Sequence, residues 1–175
     1  MDPFVKLKIK TDISECLYGD EMVHYGVNRS IEFFKIQESM DARLFEIVPE
    51  KYKKYFYTSI MRINEQYIRP HTDSDRKVGI NFYIKPASAI TLFYNRKENS
   101  PDAEKVIGQT NGAVSNESNL ILNKKLIAET GDIWILDITQ IHSVVCLKKE
   151  KRVAYNLSSN VLSYDDTLEI LKHLI

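Results

Sequence analysis

Val5, Leu7 and Ile9 alternate with lysines, the period-two pattern of a strand with one buried face. From Tyr57 onward, short runs rich in β-branched and aromatic residues are separated by Gly, Pro, Asn and Asp. This pattern predicts strands at 57–67, 78–84, 89–94, 124–127, 132–136, 141–147 and 152–160. Residues 32–44 fit a helix or a strand equally, and Pro49 ahead of EKYKKYF suits the opening of a short helix. The polar stretch 95–119 is expected to be a long loop. At the end of the chain, SYDDTLEILKHLI begins with a Ser163/Asp166 capping-box pattern and sets Leu168, Leu171 and Ile175 on one face, a closing helix over 164–175. The expected class is mainly β with flanking helices, a sandwich or jelly roll in which two sheets cover each other. The 175 residues suit a single domain, with a core barrel over 57–160.

Composition narrows the partners. Lys plus Arg number 24 and Asp plus Glu number 24, so no net charge pulls the chain toward duplex nucleic acid or an anionic membrane. The run Lys148, Lys149, Glu150, Lys151 reads as a solvated hairpin turn leading to Arg152. Two cysteines, Cys16 and Cys146, without CxxC spacing, argue against a disulfide framework or a thiolate metal site. No apolar run has membrane-spanning length and the N-terminal residues lack the apolar core of a secretory signal, so no membrane partner and a cytoplasmic location are expected.

The chemistry sits in three weak signals that reinforce one another. His71-Thr72-Asp73 places two metal-ligand side chains at i and i+2, the same face of a strand. Alone, such a triplet is more often a surface turn. His142 follows the strand DIWIL at the start of the next one. Two histidines and a carboxylate can hold one side of an octahedral Fe(II) and leave the other side open, whereas structural zinc wants four protein ligands. Arg152 comes ten residues after His142 and opens the strand RVAYNLSSN, where alternation puts Arg152, Ala154, Asn156 and Ser158 on one face. An arginine on the inner face of a β-sandwich is costly unless an anion pairs with it, and a dicarboxylate chelating the metal at its other end supplies that anion.

The order HTD…H…R resembles the Fe(II)/2-oxoglutarate-dependent dioxygenases, and IRPHTD, INFYIKP with ITLFY, and GDIWILDITQIHSVVCLKKEKR are similar to segments of its prolyl-4-hydroxylase-like branch. The resemblance covers about residues 57 to 160. It implies a double-stranded β-helix, Fe(II) held by His71, Asp73 and His142, and 2-oxoglutarate and O2 as co-substrates. By position, Tyr83 resembles the strand tyrosine that hydrogen-bonds the far carboxylate of 2-oxoglutarate beside Arg152. Asn81 shares the face of Tyr83 and is placed in the same pocket. The carboxylate of Asp73 implies hydroxylation of a C–H bond, with release of succinate and CO2, because halogenating relatives lack it. Ala154 departs from relatives that carry a serine there, and Arg62 or Asn64 stands where a tyrosine is common. Arg62 is open to three readings: an aid to the co-substrate, a ligand for an acidic substrate, or an exposed side chain.

Two other classes fit the pattern: a cupin-like metal-binding jelly roll that needs no 2-oxoglutarate, and a non-catalytic β-sandwich binding module. Neither needs an inward cation at Arg152. The primary substrate has no readable code; a peptidyl side chain or small molecule is favoured over nucleic acid by the charge balance. His24 and His173 read as structural, the latter in the last helical turn, where a cation suits the dipole.

Overall fold

A computed structural model describes residues 2–13, 31–101 and 113–175, and the backbone alone of 18–23. Its strands are β1 (Phe4–Lys10), β2 (Tyr18–Val23), β3 (Ile31–Ile36), β4 (Tyr57–Ile63), β5 (Tyr67–Thr72), β6 (Val78–Lys85), β7 (Ala89–Arg96), β8 (Ala113–Val114), β9 (Leu120–Ile127), β10 (Asp132–Leu136), β11 (His142–Cys146) and β12 (Arg152–Ser159). They form two antiparallel sheets, one ordered β1-β10-β6-β12-β4-β3-β2 and the other β8-β5-β11-β7-β9. From β4 to β7 and again from β9 to β12, each strand is followed by one in the opposite sheet. The result is a jelly roll.

Helices α1 (Glu38–Leu44), α2 (Glu50–Lys53) and α3 (Tyr164–Leu171) flank the barrel. The even-numbered residues of β6 (Val78, Ile80, Phe82, Ile84) and the odd-numbered residues of β12 (Val153, Tyr155, Leu157) face outward into a core closed by Met40, Leu44, Tyr164 and Leu171. All of β6 except Lys85 is buried, so its opposite face must be covered too, and the second sheet covers it. The inner face holds two smaller clusters, Tyr83, Phe93, Leu126, Leu136, Ile138 and Ala154 in one, Ile63, Ile68, Ala89, Val144 and Cys146 in the other.

Several expectations need correction. The strand expected over 57–67 is two strands, β4 and β5, broken at Asn64, where three polar residues turn the chain without Gly or Pro. The ambiguous segment 32–44 is both elements: β3, then α1. The barrel is not confined to 57–160, since β1, β2 and β3 extend the larger sheet. The stretch 95–119 is no plain loop: β7 runs to Arg96, β8 pairs with β5, and Glu117–Asn119 form a 3-10 turn. Residues 102–112 of that stretch, His24 and Cys16 lie outside the described residues. The capping box at Ser163 is present, with the Asp166 backbone N–H donating to Ser163 Oγ at 3.1 Å and the Ser163 backbone N–H to the Asp166 carboxylate at 2.9 Å.

Candidate metal centre

Strands β5 and β11 are neighbours, and their register sets His142 directly opposite His71. Two residues on, Val144 faces Ile68, whereas an uninterrupted ladder would give it Arg69. This bulge bends the strand where both histidines sit, as bulges beside functional sites do. The imidazole centroids are 4.4 Å apart. Asp73 follows the last residue of β5, and its backbone N–H donates to the Ile138 carbonyl at 3.0 Å, tying it to the connection that leads into β11. Its Oδ1 lies 3.8 Å from His71 Nε2, and one ligand atom from each of His71, Asp73 and His142 falls within 4.8 Å of the others.

The ring orientations suit a metal. His71 Nδ1 is 2.7 Å from the Arg69 carbonyl oxygen and His142 Nδ1 is 2.9 Å from that of Gln140. A carbonyl only accepts, so each Nδ1 carries the hydrogen and each Nε2 keeps a lone pair for an ion. Burial, reinforced by the neighbouring His71 and opposed by Asp73, pushes His142 down to about 4. It is therefore neutral at pH 7, the form that ligates. Two imidazoles and one carboxylate, without a thiolate, fit Fe(II) with open positions better than structural zinc.

Arg76 gave no signal in the sequence, yet its Nη2 donates to Asp73 Oδ2 at 2.6 Å. That pair occupies one carboxylate oxygen and leaves Oδ1 turned toward His71. The guanidinium is held in turn by the face of Phe33, 5.2 Å from the ring centroid.

Arg152 lies at the hairpin end of β12, opposite Ile63 of β4, and is 2% exposed. Its Nη1 donates to Thr91 Oγ1 at 3.0 Å and its Nη2 to the Tyr83 hydroxyl at 2.6 Å, so it spans both sheets. Its Nε is buried without a partner, and among the described residues no carboxylate pairs with the guanidinium. An uncompensated buried charge costs several kcal/mol, so this cradle calls for an anion. Thr91 went unnoticed in the sequence; its only signal is that Ala89, Thr91 and Phe93 share the buried face of β7. Asn81 lies beside the anchor, its Nδ2 3.3 Å from the Tyr83 hydroxyl.

Arg62 does not join this group. It faces outward beside Val153, with its Nε 2.5 Å from Glu32 Oε2 and its guanidinium over the Phe34 ring. The reason is parity: Met61 and Ile63 take the inner positions of β4. His173 sits in the 3-10 turn Lys172–Leu174, away from the other sites.

No protein family defined by sequence matches the chain, and no curated protein matches it. Solved structures do. The non-heme alpha ketoglutarate dependent epimerase SnoN from nogalamycin biosynthesis aligns with a TM-score of 0.55 at 12% identity, covering 90% of this chain and 78% of that one. SnoN in complex with Fe3+, alpha ketoglutarate and nogalamycin RO aligns with a TM-score of 0.52 at 10% identity. Chain topology and this likeness agree. The fold is a double-stranded β-helix, a jelly roll. Vicilin from Solanum melongena aligns with a TM-score of 0.44 at 10% identity, covering 76% of this chain, which spans 29% of that protein. The likeness to SnoN does not single out a prolyl-4-hydroxylase branch.

Proposed function

We propose that this protein is an Fe(II)- and 2-oxoglutarate-dependent oxygenase that hydroxylates an unactivated C–H bond. Arg152 is the observation that carries the reading: a buried cation with no counter-ion among the described residues, in the same barrel as a two-histidine, one-carboxylate cluster. A metal-binding cupin or an inert sandwich has no use for it. SnoN, whose fold is similar, was solved with Fe3+ and alpha ketoglutarate.

In this reading His71, Asp73 and His142 hold one face of the metal. Arg76 fixes the Asp73 carboxylate so that one oxygen is presented to the ion. Arg152, with Tyr83 and Thr91 at its sides, would bind the far carboxylate of 2-oxoglutarate, leaving the 2-oxo acid end to chelate the metal. Phe93, whose ring lies 5.8 Å from that of His142, belongs with Leu136 and Ile138 to the apolar lining that keeps water out. Bound Fe(II) with 2-oxoglutarate supplies the O2-dependent oxidation that releases succinate and CO2 and hydroxylates the substrate.

The primary substrate is a small molecule or a peptidyl side chain, consistent with the absence of a basic excess. The working compartment is the cytoplasm, where the buried thiol of Cys146 stays reduced.

The test is thermal unfolding with redox-silent Mn(II), with and without 2-oxoglutarate. A ligand bound only to the folded state at about 100 times its Kd adds ~2.7 kcal/mol of stability. A rise with Mn(II) and a further rise with 2-oxoglutarate are expected; a rise with Mn(II) alone would leave the metal-binding cupin. SnoN is an epimerase, so product analysis is needed to separate hydroxylation from inversion at carbon.

A further inference from the structure

A row of polar side chains crosses the inner face of the larger sheet from the metal cluster to the anion cradle. Arg76 Nη1 lies 3.5 Å from Ser158 Oγ, its longest link. Ser158 Oγ donates to Asn156 Oδ1, and Asn156 Nδ2 donates to Asn81 Oδ1 at 2.6 Å. Asn81 Nδ2 then donates to the Tyr83 hydroxyl, which also receives Arg152 Nη2. The four residues between the arginines are almost wholly buried. Asn156 and Asn81 are direct cross-strand partners. Gly79 makes room for them, since a Cβ there would stand 3.3 Å from Asn156 Nδ2.

The hydrogens in this row can be counted. Guanidinium groups only donate, so both ends of the row push hydrogens inward. Two hydroxyls and two amides between them form three links, and each link consumes one hydrogen. Run as observed, Ser158, Asn156 and Asn81 supply all three, and the Tyr83 hydrogen is left over. Run in reverse, Tyr83 would spend its hydrogen on Asn81, and the surplus would fall to Ser158, within reach of the half-exposed Tyr57 hydroxyl. The observed direction keeps the Tyr83 hydrogen for an acceptor beside Arg152.

We infer that Asn81 and Asn156 are positioning residues that hold the Tyr83 oxygen as an acceptor and so aim its hydrogen at the carboxylate bound by Arg152. The inference rests on the oxygenase reading above. Both amide orientations are required, because either one reversed turns the relay around. A hydrocarbon at position 156 removes the donor that fixes Asn81, and Asn81 can then rotate to capture the tyrosine hydrogen.

The experiment is calorimetric titration of 2-oxoglutarate into the anaerobic Mn(II) complex of wild type, Asn81→Leu, Asn156→Leu, Tyr83→Phe and the two double variants with Tyr83→Phe. Asn156→Leu and Tyr83→Phe are each expected to weaken binding about fivefold, the loss of one hydrogen bond, and Asn81→Leu, which leaves no acceptor to capture the tyrosine hydrogen, less than about twofold. In the Tyr83→Phe background the asparagine substitutions should cost nothing further, because the group they position is gone. Pyruvate, which lacks the far carboxylate, should bind all variants alike, and Mn(II) affinity should not move. Asn156→Ala replaces Asn156→Leu if the latter fails to fold. Losses that add in the Tyr83→Phe background, or that appear equally with pyruvate, overturn the relay and leave the oxygenase reading standing. Failure of wild type to bind 2-oxoglutarate overturns both.

Discussion

Replacing Arg152 with methionine should leave the ligand-free protein about as stable while weakening its hold on 2-oxoglutarate about 30-fold or more. Methionine approximates the volume of the arginine stem in a site that is 2% exposed, so no large cavity opens. The substitution forfeits two hydrogen bonds from a charged donor, to Thr91 Oγ1 and the Tyr83 hydroxyl, at ~1.5–3 kcal/mol each. Against that loss it removes a buried charge with no carboxylate partner among the described residues, whose burial costs several kcal/mol. The two effects are of similar size and nearly cancel. In the complex the balance reverses. Truncating one partner of a desolvated charge pair costs ~2–5 kcal/mol, so 2-oxoglutarate should bind about 30-fold more weakly or worse. Urea unfolding of the metal-free proteins gives the first quantity, and anaerobic calorimetric titration of their Mn(II) complexes gives the second. A variant destabilised by more than about 2 kcal/mol that still binds 2-oxoglutarate like wild type would make Arg152 a structural residue, and the argument from the unpaired charge would fall.

His142→Ala should fold yet fail to bind one equivalent of Fe(II) in anaerobic titration, because no spare protein ligand stands in the cluster; wild-type affinity would remove His142 from the site. Metal-free protein should lose stability between about pH 6.5 and 4, because His142 titrates near 4 when folded and near 6.5 when unfolded. Its neutral form favours the fold above that window, and the benefit, up to ~3 kcal/mol, fades as pH falls through it. Comparing urea unfolding of wild type and His142→Asn at pH 7 and pH 4.5 checks this; an equal pH dependence in both proteins would exclude His142 as its source. Gly131→Ala should lower stability by ~1–2 kcal/mol, since Gly131 has φ +86° and a Cβ there would lie 3.2 Å from the Thr11 carbonyl oxygen. An unchanged unfolding midpoint would show that the turn relaxes freely.

The sequence alone determined whatever depends on local period and residue chemistry. β-Branched and aromatic runs bounded by Gly, Pro, Asn and Asp identified the buried strands β6, β10, β11 and β12 to within a residue or two, and the Ser163/Asp166 pattern marked the start of α3. The residue types in HTD, His142 and Arg152 pointed to a metal and an anion, and the structure brings ligand atoms of His71, Asp73 and His142 within 4.8 Å of one another. Tertiary structure decided the rest. Period two says that Arg62 and Met61 point opposite ways, and only the partner strands say which way is inward; pairing with β12 turned Arg62 outward to Glu32. The break at Asn64 was hidden because apolar residues flank a turn made by polar ones. Thr91 reaches Arg152 across the two sheets, a contact that local spacing does not encode, and Arg76 reaches Asp73, three residues before it, through the shape of the loop after β5. Register and sheet order arise from pairings between residues far apart in the chain, and no local pattern contains them.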